Sequence, residues 1–398
     1  MTKLTDIVAV SAVRTPMGSF GGTLKDVPVY NLGATAIKAA LERSGCKGAD
    51  VAEVIYGSCR QAGNGPNSAR SAMLFAGMPV EVPAITLNMA CPSGMKSIMF
   101  AAEGIQTGRG EVYVTGGMDS MSTIPFLLKN CRFEGFKMGD RKLEDGWSDS
   151  IDPTCGYGMG NTAENLLEKH DVSRQEMDEL ALWSHQKAVA AIEEGRFKDE
   201  IVPHVIPAKG KRPEVVFDTD ETPRKDTTLE KLAKLPPAFK KDGGRVTAGN
   251  ACGMSDGACA LVITTRERAE AIGAKPLFSI VSYAQAAVDG RYMGEGPGFS
   301  IPMALERAKM TLGDMDLYEV NEAFAVQVLV NERKLKWDRA KLNVNGGAIA
   351  LGHPTGISGA RIVVTLYHAL KQRGKELGVA SICGGGGVTT AMVIKREG

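Results

Sequence analysis

One pattern of segments occurs twice in this chain, and it limits what the chain can fold into. In the first half Asn88 leads to Cys91-Pro92-Ser93-Gly94, then a helical stretch, the strand-like Val112–Thr115 and Gly116-Gly117. In the second half Asn345 leads to His353-Pro354 and Ser358-Gly359, then a helical stretch, the strand-like Val379–Ile382 and Cys383-Gly384-Gly385. Loop, Ser-Gly, helix, strand, Gly-Gly in the same order implies two related α/β units whose matching loops face one another.

The rest of the chain fits such units. Apolar runs at Ile7–Val13, Val54–Gly57, Glu111–Thr115, Ala260–Thr264, Leu277–Ser282, Leu342–Val344, Val379–Ile382 and Ala391–Ile394 read as strands. Helical patterns alternate with them, including Leu32–Arg43, which stops at Gly45. A longer helix opens on the capping box Ser173-x-x-Glu176 and carries Met177, Leu180, Ser184, Ala188 and Ala191 on one face. Alternation of this kind predicts α/β layers with largely parallel sheets. Residues 121–245 differ: they are rich in charge, Gly, Pro and Met, poor in strand signals, and read as an inserted loop domain lying over a site.

Composition narrows the function classes. The 398 residues are 43% apolar, with 47 basic and 46 acidic side chains for a net charge of +1. That balance argues against a surface built to coat nucleic acid or an anionic membrane. No apolar run reaches the length of a membrane span, and the first strand starts too early for a leader segment, so the cytoplasm is the expected compartment. The eight cysteines, at positions 46, 59, 91, 131, 155, 252, 259 and 383, form no Cys-x-x-Cys pair and have no histidine at zinc-ligand spacing. No disulfide framework and no metal site is expected.

Chemistry concentrates at the repeated loops. Pro92 suits the first helical position, making Cys91 the N-cap, where the helix dipole and free N–H groups would lower a thiol pKa. The same features fit a buried structural cysteine, and the residues alone leave both readings open. His353 before Pro354 repeats the arrangement, and a helix N-terminus favours the neutral imidazole that a general base for a thiol must be. A histidine satisfied within a turn fits as well. Cys383 ends an apolar strand and enters four glycines, whose backbone N–H groups can point at an oxygen. No Lys-Ser/Thr follows them, which argues against a phosphate loop, and no Gly-x-Gly-x-x-Gly follows the first strand, which argues against a Rossmann site. Asn321-Glu322-Ala323-Phe324 ends the strand-like Leu317–Val320, the end at which α/β sheets build sites.

These motifs, in order, resemble the thiolase family: Asn88-x-x-Cys91-x-Ser93-Gly94, Gly116-Gly117-Met118-Asp119-Ser120-Met121-Ser122, Asn321-Glu322-Ala323-Phe324, Gly352-His353-Pro354 and Cys383-x-Gly385-Gly386-Gly387. Arg14-Thr15-Pro16, Lys137-Met138-Gly139-Asp140, Met159-Gly160-x-Thr162-Ala163-Glu164-Asn165, Thr247-Ala248-Gly249-Asn250-Ala251 and Met293-Gly294-x-Gly296-Pro297 fill the gaps, so the resemblance spans the chain. It implies a thiolase-like fold of two similar βαβαβαββ units stacked as α-β-α-β-α layers. The first half would be residues 1–120 plus 246–272, the loop domain 121–245 and the second half 273–398.

The resemblance also implies a mechanism. Cys91 would attack an acyl-CoA carbonyl after giving its proton to His353, and Cys383 would move the proton at the α-carbon of a second CoA ester. His353 and Asn321, the latter through a water, would form one oxyanion hole, and the N–H groups of Cys91 and Gly385 the other. Coenzyme A, a substrate and not a resident cofactor, would lie on the loop domain. Arg224 would take its adenine-nucleotide end, and Trp147 and Phe239 would flank the pantetheine. Ala251 and Cys252 would lie beside it, and Met159 and Met293 would line the acyl pocket. Family members commonly have serine where Cys252 stands, and glutamate where Asp119 stands. Acetoacetyl-specific members often have histidine at the position of Gly158.

The activity so implied is that of an acetyl-CoA C-acetyltransferase. The alternative is a 3-ketoacyl-CoA thiolase of longer-chain fatty acid β-oxidation. Cys383 in the proton-transfer position disfavours a decarboxylating ketoacyl synthase, and the presence of Cys91, His353 and Cys383 together disfavours a non-catalytic scaffold. A homodimer or homotetramer is implied, with Lys129 to Asp140 as the tetramer contact.

Overall fold

The structure, a computed structural model, describes residues 2–133 and 135–398. The first half lays down β1 (Ile7–Arg14), α1 (Val29–Ser44), β2 (Glu53–Gly57), α2 (Ser68–Phe75), β3 (Ala84–Leu87), α3 (Ser93–Gln106) and β4 (Val112–Ser120). After an excursion that carries α4 (Met159–Lys169) and α5 (Arg174–Glu193), β5 (Ser255–Thr265) completes it. The second half runs β6 (Phe278–Ala287), α6 (Pro297–Ala308), β7 (Leu317–Val320), α7 (Ala325–Leu335), α8 (Thr355–Gln372), β8 (Leu377–Cys383) and β9 (Val388–Arg396).

Both halves order their strands alike. The first runs β1-β5-β4-β2-β3 and the second β6-β9-β8-β7, with Leu342 bridging Tyr318 in place of the fifth strand. A short antiparallel pairing of Val8 with Ser279 and Ala9 with Phe278 joins the two first strands. Helices α3 and α8 pack on each other and touch strands of both halves, α1 and α2 cover the outer face of the first sheet, and α6 and α7 that of the second. The layers are therefore α-β-α-β-α, as expected.

The expectation of largely parallel sheets is corrected. Only β2–β3, β2–β4 and β7–β8 pair in parallel, while β1–β5, β4–β5, β6–β9 and β8–β9 are antiparallel. The reason is the last strand of each half, which returns beside its predecessor without a crossover helix. In the second half that return is made at Gly384 to Gly387; in the first, the whole 121–254 excursion occupies the same position. Among its described residues the excursion holds only short ladders, Phe126–Leu127 with Glu144–Asp145 and His204–Ile206 with Val215–Phe217.

Leu342–Val344, expected as a strand, is a single bridge. Asn343 sits at φ 41° and does a strand's work with its side chain, accepting from Val320 N–H at 2.8 Å and donating to Val320 C=O at 2.9 Å. The capping box on α5 forms, and α1 stops at Gly45 in the left-handed conformation.

The repeated Ser-Gly has a packing reason. A methyl on Gly94 would lie 2.8 Å from Ala360 N, and one on Gly359 would lie 2.7 Å from Met95 N. Each glycine lets the other helix pass at its first turn, so the start of α3 is pressed against the start of α8. Below that crossing Ile98 and Ile362 are fully buried, each stabilising the packed layer by roughly 1.5–3 kcal/mol.

Candidate active site

Cys91 follows a tight turn. Ala90 has φ 52°, a region that a residue with a side chain occupies only where the surroundings hold it there. The Ala90 carbonyl accepts from Ser93 N–H (3.0 Å), the Ser93 hydroxyl (2.5 Å) and the Cys59 thiol (3.2 Å). Helix α3 starts at Ser93 with Pro92 as N-cap, so Cys91 lies one residue before the position expected for it. His353 stands identically before Pro354, the N-cap of α8. The glycine crossing thus brings thiol and imidazole to one place from opposite halves.

The expected low thiol pKa is also corrected. Burial pushes Cys91 up to about 11, against the N–H of Gly385, the Arg60 guanidinium and the N–H of Cys91 itself. Desolvation outweighs the helix end. Those N–H groups nevertheless lie within hydrogen-bonding reach of the sulfur.

His353 presents one free ring nitrogen. The Ser358 hydroxyl donates its one proton to the Pro354 carbonyl at 2.9 Å, so towards His353 Nδ1 at 2.6 Å it can only accept. The imidazole proton is therefore on Nδ1, and Nε2 is bare, buried and without a partner. Burial, then the charges of Arg361 and Arg60, pushes the pKa of His353 down to about 3. The ring is neutral at physiological pH.

Cys383 is fully buried at the end of β8. Burial and the neighbouring Cys91 push its thiol far up, so it carries its proton. Cys252 is shifted up by the same two causes, and its N–H is held by the Ala323 carbonyl at 3.1 Å. Asn321 is buried with its Oδ1 3.4 Å from Arg361 Nη2, while its Nδ2 has no partner. Glu322 accepts from Ser184 Oγ (2.6 Å) and Asn343 Nδ2 (2.8 Å), which makes it a brace between α5 and the second half.

A cavity of about 830 Å³ opens onto this centre. Cys91, His353, Trp147, Met159, Arg224, Phe239, Ala251, Cys252 and Met293 all line it. Cys383 and Asn321, both fully buried, do not, nor does Gly385, which is partly exposed beside the Met159 sulfur. Arg224 also lines a smaller adjoining pocket with Lys225, and its N–H donates to His185 Nδ1 at 3.1 Å. Phe239 covers Gly160 and meets Phe324 edge-on, with ring centroids 6.2 Å apart. Among the described residues no group of three or more His, Cys, Asp or Glu could hold a metal ion.

Sequence reasoning did not assign roles to Ser358 or Arg60. Ser358 was visible as half of the repeated Ser-Gly, five residues beyond His353; Arg60 carries no local signal, because only the fold brings it to the cavity.

A buried thiol and a bare imidazole nitrogen on the wall of one cavity, with a second protonated thiol close to the first, are the groups of an acyl-transfer enzyme. The chain belongs to the thiolase family: the thiolase N-terminal domain matches residues 7–267 and the thiolase C-terminal domain residues 274–396. It is 48% identical over 396 residues to an acetyl-CoA acetyltransferase of Cupriavidus necator, covering 99% of this chain and 100% of that one. To a probable acetyl-CoA acyltransferase of Staphylococcus epidermidis it is 47% identical, covering 98% of both. The crystal structure of the Bacillus anthracis acetyl-CoA acetyltransferase superposes with a TM-score of 0.95 at 47% identity, covering 99% of each chain.

Proposed function

We propose that the protein is an acetyl-CoA C-acetyltransferase, which cleaves acetoacetyl-CoA with CoA, or condenses two acetyl-CoA, through an acyl group on Cys91. The observation that carries this reading is the bare Nε2 of His353, held in that tautomer by Ser358. With Cys91 pushed up to about 11 and His353 down to about 3, a thiolate–imidazolium pair does not form before the substrate adds. The proton leaves as Sγ adds to the substrate carbonyl, whose oxygen then takes the N–H groups of Cys91 and Gly385. Cleavage of the C2–C3 bond leaves its electron pair on C2, and Cys383 supplies the proton there. The thiol of CoA next adds to the acetyl group on Cys91, passing its proton to Cys383, while His353 returns a proton to the departing sulfur. Asn321 Nδ2, unpartnered as it is, suits a water that shares with His353 the oxygen of the enolate.

The names of the related enzymes support this reading, and so does the cavity, whose Arg224 end carries positive charge for a nucleotide. The test is consumption of acetoacetyl-CoA in the presence of CoA, repeated with Cys91→Ala. Turnover should fall at least about 10³-fold; undiminished turnover would overturn the assignment. A reading with longer 3-oxoacyl chains is favoured by Gly158, on the cavity wall, where an added methyl would meet only Asn161 Oδ1 at 3.5 Å. Turnover of six-carbon and longer substrates at or above the acetoacetyl-CoA rate would select it.

Assembly as a dimer or tetramer belongs to the same proposal. Phe133, Phe136 and Met138, within the expected contact at residues 129–140, stand out into solvent, a surface suited to burial between copies. Light scattering reads the mass, and a monomer would exclude it.

A further inference from the structure

Two guanidinium groups line the large cavity, Arg60 and Arg224. Arg224 belongs also to the adjoining pocket with Lys225. Arg60 stands at the reacting end, since its charge lowers the pKa of both Cys91 and His353.

Among the described residues no carboxylate pairs with the Arg60 guanidinium, although Asp119 accepts from the Arg60 backbone N–H at 3.0 Å. Its Nη2 donates to Ser150 Oγ at 2.7 Å, and its guanidinium lies over the Trp147 ring, 4.5 Å from the centroid. Nε is shut off from solvent and has no acceptor. Among the described residues no carboxylate lies within ion-pair distance. Asp119 feels its charge, but that carboxylate is occupied by the N–H groups of Cys59 and Gly356 and the Thr355 hydroxyl. Arg60 is partly buried and lines the cavity, so the rest of its guanidinium can be reached from there. A guanidinium stacked on an indole and held by one hydroxyl is a positioned fork, suited to a carboxylate. Among the described residues none pairs with it, and the wall around it is largely apolar.

We propose that Arg60 is a specificity-determining residue that selects 3-oxoacyl-CoA substrates whose acyl chain ends in a carboxylate. The inference rests on the thiolase reading of Cys91, His353 and Cys383 and names its substrate class. In the cleavage direction Sγ of Cys91 bonds to C3 as the C2–C3 bond breaks. The electron pair left on C2 takes the Cys383 proton, and acetyl-CoA departs. The shortened acyl group remains on Cys91 with its terminal carboxylate on Arg60. The CoA thiol then adds at C3, giving its proton to Cys383; the Cys91 sulfur leaves and recovers its own from His353. The products are acetyl-CoA and a carboxyacyl-CoA, and no oxidant or further reactant is needed. An anion elsewhere on CoA fits less well, because its phosphates lie at the end of the molecule remote from the thioester.

The test compares kcat/KM for 3-oxoadipyl-CoA with that for the uncharged 3-oxohexanoyl-CoA of equal length, and likewise 3-oxopimelyl-CoA with 3-oxoheptanoyl-CoA. The parent enzyme should prefer the carboxylated partner in at least one pair. In Arg60→Leu that ratio should fall roughly 10- to 100-fold, the size of a lost hydrogen bond to a charged group, and Arg60→Lys should restore part of it. A folding defect or a general effect on Cys91 lowers both members of a pair equally and leaves the ratio alone. A parent preference for the uncharged member of both pairs, or an unchanged ratio in Arg60→Leu, would overturn the proposal. If the parent cleaves neither these substrates nor acetoacetyl-CoA, the thiolase reading itself fails and takes this one with it.

Discussion

The carboxylate of Asp119, at the end of β4, accepts from the Thr355 hydroxyl at 2.9 Å, in the first turn of α8 from the other half. It also accepts from Gly356 N–H (2.5 Å), Cys59 N–H (3.0 Å), Arg60 N–H (3.0 Å) and the Ser58 hydroxyl (3.2 Å). One buried carboxylate thereby satisfies a helix start and a strand end together, and it ties the helix behind His353 to the half that carries Cys91. Asp119→Asn turns one acceptor oxygen into a donor facing those N–H groups. The expected loss of unfolding free energy is about 3–5 kcal/mol, read from urea denaturation; a loss within the scatter of surface substitutions would show that the joint is not held there.

The helix crossing makes a separate prediction. Gly94→Ala and Gly359→Ala each place a methyl within 3 Å of the opposing backbone, which must move apart. Each should lower stability by roughly 1–3 kcal/mol and depress kcat, because the crossing sets where Cys91 meets His353. Thermal melts and steady-state rates of both variants check it, and a melt equal to the parent's would mean the helices have slack.

The repeat made the pairing of loops legible, because Ser-Gly before a helix and Gly-Gly after a strand are local signals. Strand direction was not legible. Nothing in Val112–Thr115 or Ala260–Thr264 records that the second runs back beside the first after more than a hundred residues. Periodicity reports burial and not partner. The capping box at Ser173 and the stop at Gly45 were readable because their causes lie within one turn. The thiol of Cys91 misled for the opposite reason. Its helix end is local and visible in Pro92, while the desolvation that outweighs it comes from the whole fold. Arg60 and Ser150 lie ninety residues apart and meet only in the folded chain.

Ser358→Ala removes the acceptor that keeps the His353 proton on Nδ1. The ring is then free to place that proton on Nε2, where it cannot take one from Cys91. A drop in kcat of roughly 10- to 1000-fold is expected, with KM changed far less, since the hydroxyl does not line the cavity. Equal kcat in parent and variant would remove Ser358 from the mechanism.

The state of the resting thiol can be read by alkylation. With Cys91 pushed up to about 11 by burial, its reaction with iodoacetamide in the absence of substrate should climb about tenfold per pH unit from neutrality into the alkaline range. Mass spectrometry of the Cys91 peptide follows it. A plateau reached near pH 7 would show a thiolate already formed and would restore the helix end as the dominant influence.

Acid should loosen the protein through its buried imidazoles. Burial pushes His353 down to about 3 and His185 down to about 4. In the unfolded chain each takes up a proton below its ordinary pKa of 6.5, while in the folded chain each stays neutral. The unfolded state then binds more protons, so stability falls as pH falls from 6.5 towards the folded values. At pH 5 each contributes a loss of roughly 2 kcal/mol. Buried carboxylates act oppositely: Asp119, Asp256 and Glu322 are shifted up by burial, so the folded state holds their protons and gains as pH falls through that range. The total is a sum of both signs, and a single substitution isolates one part. In His185→Gln and in His353→Gln the change in unfolding free energy between pH 7 and pH 5 should be more favourable to the folded state, by about 2 kcal/mol, than in the parent. Identical changes in parent and variants would mean that these imidazoles bind protons equally in the folded and unfolded chain.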